Sequence, residues 1–389
     1  MTRATILLAG GGTGGHVFPL VAVADALGRL APEVSVVFVG TERGIETRVV
    51  PERGYELELM EVAPIRGGGW SGAAHGVGRA AAAVPAAWRL VGRRMPRAVL
   101  SVGGYAAGPV SLAARLRGIP LALLEPNAAI GLSNQILARF VKRAYTAFAE
   151  TERHFSPGAV LRAGVPLRSG FERRSYPGPQ RVLQVLVLGG SQGARTLNEV
   201  VPRALAAARS PVRVVHQCGR GNDDAVRARY AELQAGGRAT VVPFIDDMPA
   251  ALEQSDLVIS RAGASAVSEI CAVGRPSLLV PYPYAAAQHQ LHNARAVERA
   301  GAGVCLPNDA THDRLAAEID RLAATTGLLR TMAGRARELG RPDAADTIAR
   351  DLLTLAQVGH TEQAPPDRSR AGGSRSEGAD AAATAAGER

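Results

Sequence analysis

Residues 5–16 are Thr5-Ile-Leu-Leu-Ala-Gly-Gly-Gly-Thr-Gly-Gly-His16. A buried strand is predicted for Thr5 to Ala9; it runs directly into a glycine-rich turn, and helical apolar spacing follows from Val17 to Leu30. Glycines allow positive φ values and let backbone N–H groups approach an anion at the amino terminus of a helix. The stretch therefore predicts a Rossmann-like strand-turn-helix unit, with a tight turn that holds no ligand as the alternative.

The same pattern returns in the second half of the chain. An apolar strand is predicted from Val182 to Leu188, followed by Gly189-Gly-Ser-Gln-Gly-Ala194 and a helix from about Thr196. Further strands are predicted at 35–39, 98–102 and 120–124. This alternation favours parallel β-α-β units with helices on both faces of each sheet. The fold class is therefore α/β, with two Rossmann-like doubly wound domains.

The chain divides into segments of different character. Its 389 residues suit two or three domains at roughly 150 residues each. Residues 165–181 carry three prolines and little periodicity, which is typical of a linker. We expect domains at 1–164 and 182–340 and a disordered tail at 359–389 that is rich in Ala, Gly, Ser and Arg.

Charge and composition limit the partners. Lys and Arg number 45 against 35 Asp and Glu, a net charge of +10, which suits nucleic acid, an anionic membrane surface or phosphorylated small molecules. Aromatic residues make up only 4%, and no helix-turn-helix, zinc or RNP-type signal is present, so we expect no nucleic-acid partner. The early glycines argue against a signal peptide, and no run approaches ~20 apolar residues. We expect a soluble or peripheral cytoplasmic protein.

His16 is the first candidate for chemistry. It follows the glycines directly, on the first turn of the predicted helix, where the positive helix end disfavours the charged imidazole. The ring is then available as a proton acceptor. A capping or packing histidine is the alternative.

The segment from Asp256 to Glu269 carries the second candidate group. It predicts a strand, a turn of small residues and a helix that begins near Ser265. Gly263 to Ser265 can cradle a diphosphate, and the carboxylate of Glu269 can accept both hydroxyls of a ribose. A glutamate stabilised by the helix dipole is the alternative.

Two further polar segments complete the candidates. Ser191 supplies a hydroxyl for a phosphate on the second glycine turn. Residues 288–293, Gln-His-Gln-Leu-His-Asn, are predicted to form a polar loop whose amides suit sugar hydroxyls. His289 and His292 have no third ligand at suitable spacing, so we predict no metal site. The acidic pair Asp246-Asp247 is predicted to cap the helix that follows it.

Five ordered motifs together resemble the MurG family of bacterial glycosyltransferases. They are Gly10 to Pro19, Gly103 to Pro109, Gly189 to Arg195, Phe244 to Met248 and Arg261 to Glu269. The resemblance spans about residues 4–357. It implies a GT-B fold with two Rossmann-like domains around a cleft, no essential metal or cofactor, and a carboxyl-terminal helix at 341–358 that returns to the first domain.

The resemblance also implies an activity and its partners. The family transfers N-acetylglucosamine from UDP-N-acetylglucosamine to lipid I, the undecaprenyl-diphosphate-linked N-acetylmuramoyl pentapeptide, and so forms lipid II. A single displacement by the C4 hydroxyl would invert the anomeric centre. We expect a peripheral enzyme on the cytoplasmic face of the membrane, with the first domain on the acceptor and membrane side.

By position, the resemblance assigns roles to individual residues. His16 and Glu125 are the candidates for the general base. Ile245 would hold uracil through its backbone, Glu269 the ribose, and Ser191 a phosphate, with His289 and Gln290 near the sugar. The remaining donor contacts fall on Thr13, Gly14, Gly15, Asn127, Arg168, Ala264, Ser265, Ala266, Val267 and Ser268.

The membrane prediction rests on the region from Gly72 to Arg97. It is rich in alanine, holds Trp88 and clusters four arginines, Arg89, Arg93, Arg94 and Arg97. An amphipathic patch with a cationic flank suits docking to anionic lipid of the inner leaflet, and a solvated helix is the alternative.

Three other functions fit part of the sequence. Another GT-B enzyme, either a UDP-sugar transferase with a different acceptor or a UDP-sugar epimerase, would share the fold and the donor site. A dinucleotide-dependent oxidoreductase would use the first glycine turn but leave the second without a role. A nucleic-acid-binding protein would explain only the charge.

Overall fold

The computed structural model describes residues 3–61, 70–104, 107–190, 192–231 and 237–358, with residues 70–81 described by their backbone alone. Ser191 and the predicted tail at 359–389 lie outside these ranges.

The first half of the chain forms a seven-stranded sheet in the order β3-β2-β1-β4-β5-β6-β7. All of its strand pairs are parallel. Its strands are β1 Thr5–Ala9, β2 Ser35–Thr41, β3 Glu56–Met60, β4 Ala98–Ser101, β5 Leu121–Glu125, β6 Arg143–Thr146 and β7 Val160–Leu161. Its helices are α1 Gly14–Leu30, α2 Glu46–Glu52, α3 Trp70–Arg94, α4 Ala107–Leu116 and α5 Leu132–Leu137.

The second half forms a six-stranded parallel sheet in the order β10-β9-β8-β11-β12-β13, which repeats the order of the first six strands. Its strands are β8 Leu183–Leu188, β9 Val212–Gln217, β10 Ala239–Val242, β11 Leu257–Ser260, β12 Ser277–Leu279 and β13 Gly303–Cys305. The described helices that follow β8 are α6 Arg195–Ala207, α7 Asp223–Arg229, α8 Met248–Glu253, α9 Ala264–Val273, α10 His289–Arg299, α11 His312–Ala324, α12 Leu328–Leu339 and α13 Ala344–Leu355.

Each sheet is covered by helices on both faces, because its strands are apolar on both sides. In β1, Ile6 and Leu8 pack against α1 and α13, whereas Leu7 and Ala9 pack against α3 and α4. The side chains of β8 divide in the same way, with alternate residues in two hydrophobic clusters. The predicted fold class, two Rossmann-like α/β domains, is confirmed.

The last described helix, α13, packs against α1 of the first half. Asp351 of α13 accepts hydrogen bonds at 2.8 Å from both Arg143 and Tyr145 of β6, and Ile348 and Leu352 are fully buried. The chain therefore returns from the second half to the first. The domain boundaries given above stay a prediction.

The strand order reverses twice, between β1 and β4 and again between β8 and β11. In open parallel sheets, the crevice at the carboxyl ends of the strands at such a point is the usual place for a ligand. The two glycine-rich turns follow β1 and β8, so both lie at these crevices.

Candidate active site

The first crevice is built by two glycine loops that touch each other. Gly104, after β4, has φ +92°, and a Cβ at that position would lie 3.4 Å from the oxygen of Gly11 and 3.6 Å from Nδ1 of His16. The positive φ favours glycine at this position, and the two distances show that the loops are in van der Waals contact. Thr13, Gly14 and Gly15 form the start of α1 beside this contact.

His16 lies in the first turn of α1, half-buried. Its Nδ1 is 3.2 Å from the backbone oxygen of Gly11, so the tautomer with a proton on Nδ1 satisfies that oxygen and leaves Nε2 as the acceptor. Burial lowers the pKa of His16, the Gly11 oxygen and Glu46 oppose this, and His289 adds to it. The imidazole is therefore held in the neutral form that a base requires.

Glu125, the second candidate base, is buried at the end of β5. Its Oε1 accepts from the backbone and the side chain of Asn127, at 3.1 and 3.3 Å, and its Oε2 accepts from Gly131 and Asn134, at 2.9 and 3.0 Å. Burial raises the pKa of Glu125, and these hydrogen bonds oppose the rise. Four donors on two oxygens make this carboxyl the anchor of the loop at 126–134.

Asn293 of α10 joins the two halves of the molecule. Its Oδ1 accepts from the backbone N–H of Ala128 at 2.7 Å, and its Nδ2 donates to Asn127 Oδ1 at 3.2 Å and to the oxygen of Ala262 at 3.0 Å. Asn293 is fully buried. The loop that Glu125 anchors is thereby fixed against the turn between β11 and α9.

The start of α9 forms the centre of the second crevice. Gly263 precedes the helix in an extended conformation, and the buried hydroxyl of Ser265 has no hydrogen-bond partner among the described residues. Ala264, Ala266, Val267 and Ser268 complete the first turns of the helix. An amino terminus with a free hydroxyl is suited to a phosphate group.

Glu269 and Arg168 lie close enough at this crevice for the charge of Arg168 to act on the carboxyl group. Burial raises the pKa of Glu269 to about 7, and the charge of Arg168 opposes the rise. Arg168 comes from the segment that joins the two halves, and its guanidinium lies 5.5 Å from the ring centre of Phe171. A carboxylate and a guanidinium beside a helix amino terminus can bind hydroxyls and phosphate together.

The turn after β8 depends on glycine. Gly193 has φ +79°, and a Cβ there would lie 2.1 Å from the oxygen of Cys218. The neighbouring candidate, Ser191, lies outside the described residues. Ile245 follows β10 and packs against a cluster that includes Leu167 and Met248, and its backbone has no hydrogen-bond partner among the described residues.

His289 and Gln290 were predicted to lie in a polar loop, and this prediction is wrong. Both begin α10, after Ala287 and Gln288 with φ of 47° and 51°. Buried Ala294 and Val297 supply the apolar face that holds the segment as a helix. Gln290 Oε1 accepts from the Tyr282 N–H at 2.9 Å, and His289 approaches His16 closely enough to lower its pKa.

The structure therefore brings His16 and His289 together, Asn127 and Asn293, and Arg168 and Glu269. Sequence reasoning missed Glu46 and Asn134, and it placed Asn293 in a sugar-binding loop. Glu46 and Asn293 accept hydrogen bonds from residues 34 and 165 positions away along the chain. Over the described ranges, no group of three or more His, Cys, Asp and Glu side chains is arranged to hold a metal ion.

The same two halves match known domains. Residues 6–146 match the Glycosyltransferase family 28 N-terminal domain, and residues 184–348 match the Glycosyltransferase family 28 C-terminal domain. The UDP-N-acetylglucosamine--N-acetylmuramyl-(pentapeptide) pyrophosphoryl-undecaprenol N-acetylglucosamine transferase of Sorangium cellulosum (strain So ce56) is 56% identical over 91% of this chain and 89% of that protein. The chain belongs to the MurG family. The predicted resemblance is thus confirmed.

Solved structures agree with the MurG family assignment. The crystal structure of Acinetobacter baumannii MurG matches with a TM-score of 0.77 and 31% identity, over 90% of this chain and 99% of that chain. The glycosyltransferase of kitacinnamycin matches with a TM-score of 0.67 over 90% of this chain and all of that chain. Its identity of 19% makes it a likeness of fold alone.

Proposed function

We propose that this chain transfers N-acetylglucosamine from UDP-N-acetylglucosamine to the C4 hydroxyl of lipid I and so forms lipid II, with inversion at the anomeric carbon. The observation that carries this proposal is the 56% identity, over 91% of the chain, to a transferase of that name. The site supports it, because α1, which carries His16, contacts α9, where the Ser265 hydroxyl has no partner among the described residues.

The donor would lie along the second crevice. The backbone of Ile245 would bind uracil, and Glu269 would accept both ribose hydroxyls, because a carboxylate has paired acceptors. The diphosphate would lie at the start of α9, with Ser265, Ser191 and Arg168 around it. His289 and Gln290, at the start of α10, would bind the sugar.

His16 would act as the general base. Its Nε2 takes the proton of the C4 hydroxyl as the hydroxyl attacks the anomeric carbon, and UDP leaves on the opposite side. The N–H groups at the start of α9 stabilise the charge that develops on the leaving diphosphate. Glu125 would order the acceptor loop, since four donors occupy its oxygens.

Membrane contact would come from the first half. None of the helices in the described ranges combines the length and apolar character needed to cross a bilayer. Around α3, α4 and α5, apolar side chains are exposed, namely Trp88, Leu112, Leu116, Leu132, Ile136 and Phe140. These residues, which we call the apolar ridge, suit peripheral docking on the cytoplasmic face of the cell membrane.

The charge beside the apolar ridge is smaller than the sequence indicates. Arg94 donates to Glu58 at 2.8 Å and also pairs with Glu56, and Arg93 lies 3.6 Å from Glu58. Arg117 covers the ring of Trp88 at 4.0 Å. Anionic lipid would therefore be met by Arg117, Arg89 and Arg97 more than by the paired arginines.

Transfer of labelled N-acetylglucosamine to a short-chain lipid I analogue, with EDTA present, tests the activity. We expect a β-linked disaccharide product and the release of UDP. If UDP-N-acetylglucosamine binds but no sugar is transferred to this analogue, the result would contradict the proposed acceptor and would still agree with the proposed donor site.

Sedimentation with phosphatidylglycerol vesicles tests the membrane surface. Replacing Leu116 and Leu132 with Asp should reduce the bound fraction, whereas Leu339→Asp, an exposed leucine of the second half, should not. Equal sedimentation of the ridge variant and the wild-type protein would contradict the apolar ridge as the docking surface.

A further inference from the structure

Glu46, the first residue of α2, is a buried carboxylate that the proposed chemistry leaves without a role. Its exposed fraction is 1%. Its Oε2 accepts from the backbone N–H of Gly12 at 2.8 Å, and its Oε1 accepts from the N–H and the hydroxyl of Thr41 at 2.9 and 3.0 Å. In the ranges that the structure describes, no cationic side chain forms an ion pair with it. A buried charge without a counterion is costly, so its hydrogen bonds must offset a large loss of hydration.

The surrounding backbone is shaped around this carboxylate. A Cβ at Gly11 would lie 2.1 Å from Oε1, a Cβ at Gly40 would lie 2.5 Å from Cγ, and a Cβ at Gly44 would lie 1.9 Å from Oε2. These three glycines come from the loop after β1, from β2 and from the turn before α2. Three separate segments therefore leave room for one carboxylate, which a simple helix-terminal charge would not need.

One peptide group links Glu46 to His16. The peptide between Gly11 and Gly12 donates its N–H to Glu46 Oε2 at 2.8 Å, and its carbonyl oxygen is 3.2 Å from His16 Nδ1. Hydrogen bonds in such a chain polarise one another, so the negative carboxylate strengthens the carbonyl as an acceptor. Gly12 has φ +90°, the left-handed region, which sets the direction of this peptide.

We propose that Glu46 is a positioning residue for the base, and that it acts on His16 through the Gly11–Gly12 peptide. In hydrolase triads a carboxylate bonded directly to an imidazole fixes its tautomer and stabilises its protonated form. Here the peptide stands between the two groups, and the result is the same: Nδ1 keeps its proton and Nε2 faces the acceptor. This inference rests on the proposed role of His16.

The charges around His16 agree with that arrangement. Glu46 raises the pKa of His16, and His289 from α10 lowers it. The carboxylate therefore offsets part of the decrease in the pKa of His16 that burial and the second imidazole cause.

The variant Glu46→Gln tests the proposal, because it keeps the shape and an acceptor oxygen but removes the charge. We expect kcat to fall about tenfold to a hundredfold, as for other groups that orient an active-site histidine, with KM for UDP-N-acetylglucosamine within about twofold. The acid limb of the pH profile should move to lower pH. Glu152→Gln, a change of the same chemistry at a carboxylate paired with Arg162, is the matched control and should leave kcat unchanged.

Two further measurements separate this proposal from the proposed function. In a double-mutant cycle, Glu46→Gln should add no loss in a His16→Ala background, because both changes remove the same effect. NMR titration of His16 in the full-length protein should show a lower pKa in Glu46→Gln, whether or not His16 is the base. Thr41→Val, which removes one hydrogen bond and keeps the charge of the carboxylate, should leave the pKa of His16 close to its wild-type value.

An unchanged NMR titration of His16 and an unchanged pH profile in Glu46→Gln would overturn the proposal. Additive losses in the double-mutant cycle would also overturn it, because Glu46 would then act on the fold and not on His16. Wild-type turnover in His16→Ala alone would contradict the proposed role of His16 as the base, and the NMR result would still decide the link between Glu46 and His16.

Discussion

The amide of Asn293 donates to Asn127 Oδ1 across 3.2 Å, and the two residues belong to opposite halves of the molecule. Asn127 also donates to Glu125, so a chain of hydrogen bonds runs from the end of β5 to α10. The loop at 126–134 and the turn before α9 are therefore parts of one connected polar structure.

Loss of the Asn293 side chain should reduce turnover as well as stability. Asn293→Ala leaves the Ala128 N–H and the Ala262 oxygen unsatisfied, at a cost of about 1–3 kcal/mol each if water does not replace the amide. We expect a clear fall in kcat, since the loop at 126–134 is no longer held in its position against the start of α9. His292→Ala, an exposed neighbour on the same helix, is the control. Steady-state kinetics that are equal for the two variants would contradict this link between the halves.

His16→Ala should lower turnover and leave donor binding almost unchanged. Removal of a general base costs about 10²–10⁴ in rate. Affinity for UDP-N-acetylglucosamine, measured by calorimetry, should change by less than about threefold, because the role proposed for His16 is on the acceptor. His312→Ala, an exposed histidine of α11, is the control. Turnover within about threefold of the wild-type value would show that another group takes the proton.

Local patterns in the sequence predicted much of this structure. The strand at Thr5–Ala9 has the predicted bounds, and Asp247 caps α8 by accepting from the Ala250 N–H at 3.0 Å. The second glycine turn lies between β8 and α6 as predicted. These features depend on residues that are adjacent in the chain, so periodicity and turn chemistry suffice.

The rest depends on partners that are distant in the chain. Glu46 bonds Gly12 from 34 positions away, and Asn293 bonds Ala128 from 165 positions away. No spacing rule connects such residues, because only the fold brings them together. The helix at His289–Arg299 was missed for a different reason: its polar first turn concealed the apolar spacing of Ala294 and Val297.

Donor affinity should depend on pH through Glu269. Its pKa of about 7 in the unliganded protein means that the carboxyl group is largely protonated in mildly acidic solution. Ribose hydroxyls donate to the ionised form, so binding must release a proton below about pH 7. Affinity for UDP-N-acetylglucosamine should then fall by up to about tenfold for each pH unit below 7.

Calorimetry between about pH 6 and pH 8, in two buffers that differ in ionisation enthalpy, measures this release. Glu269→Gln should bind the donor more weakly and with little pH dependence, and Glu199→Gln, an exposed carboxylate of α6, should behave as the wild-type protein. A flat affinity profile for the wild-type protein would contradict a ribose contact by Glu269.

The stability of the protein should decrease as the pH is lowered, because of the buried imidazole of His216. Asn198 Nδ2 donates to the Cys218 oxygen at 2.9 Å, so its Oδ1 must accept from His216 Nε2, at 3.0 Å. His216 Nδ1 then accepts from the Tyr230 hydroxyl at 2.8 Å, which requires a neutral ring. Burial lowers the pKa of His216 from 6.5 to about 4.

The unfolded chain binds this proton near pH 6.5, whereas the folded chain does so only near pH 4, so the unfolded state gains protons first as the pH falls. The contribution of His216 to stability is complete above about pH 6.5, and up to about 3 kcal/mol of it is lost as the pH approaches 4. Urea unfolding at about pH 7 and pH 5 measures the change. In His216→Gln this part of the pH dependence should vanish, and in His312→Gln it should persist. An equal pH dependence in the wild-type protein and in His216→Gln would mean that the ring is already protonated in the fold, against the hydrogen bonds around it.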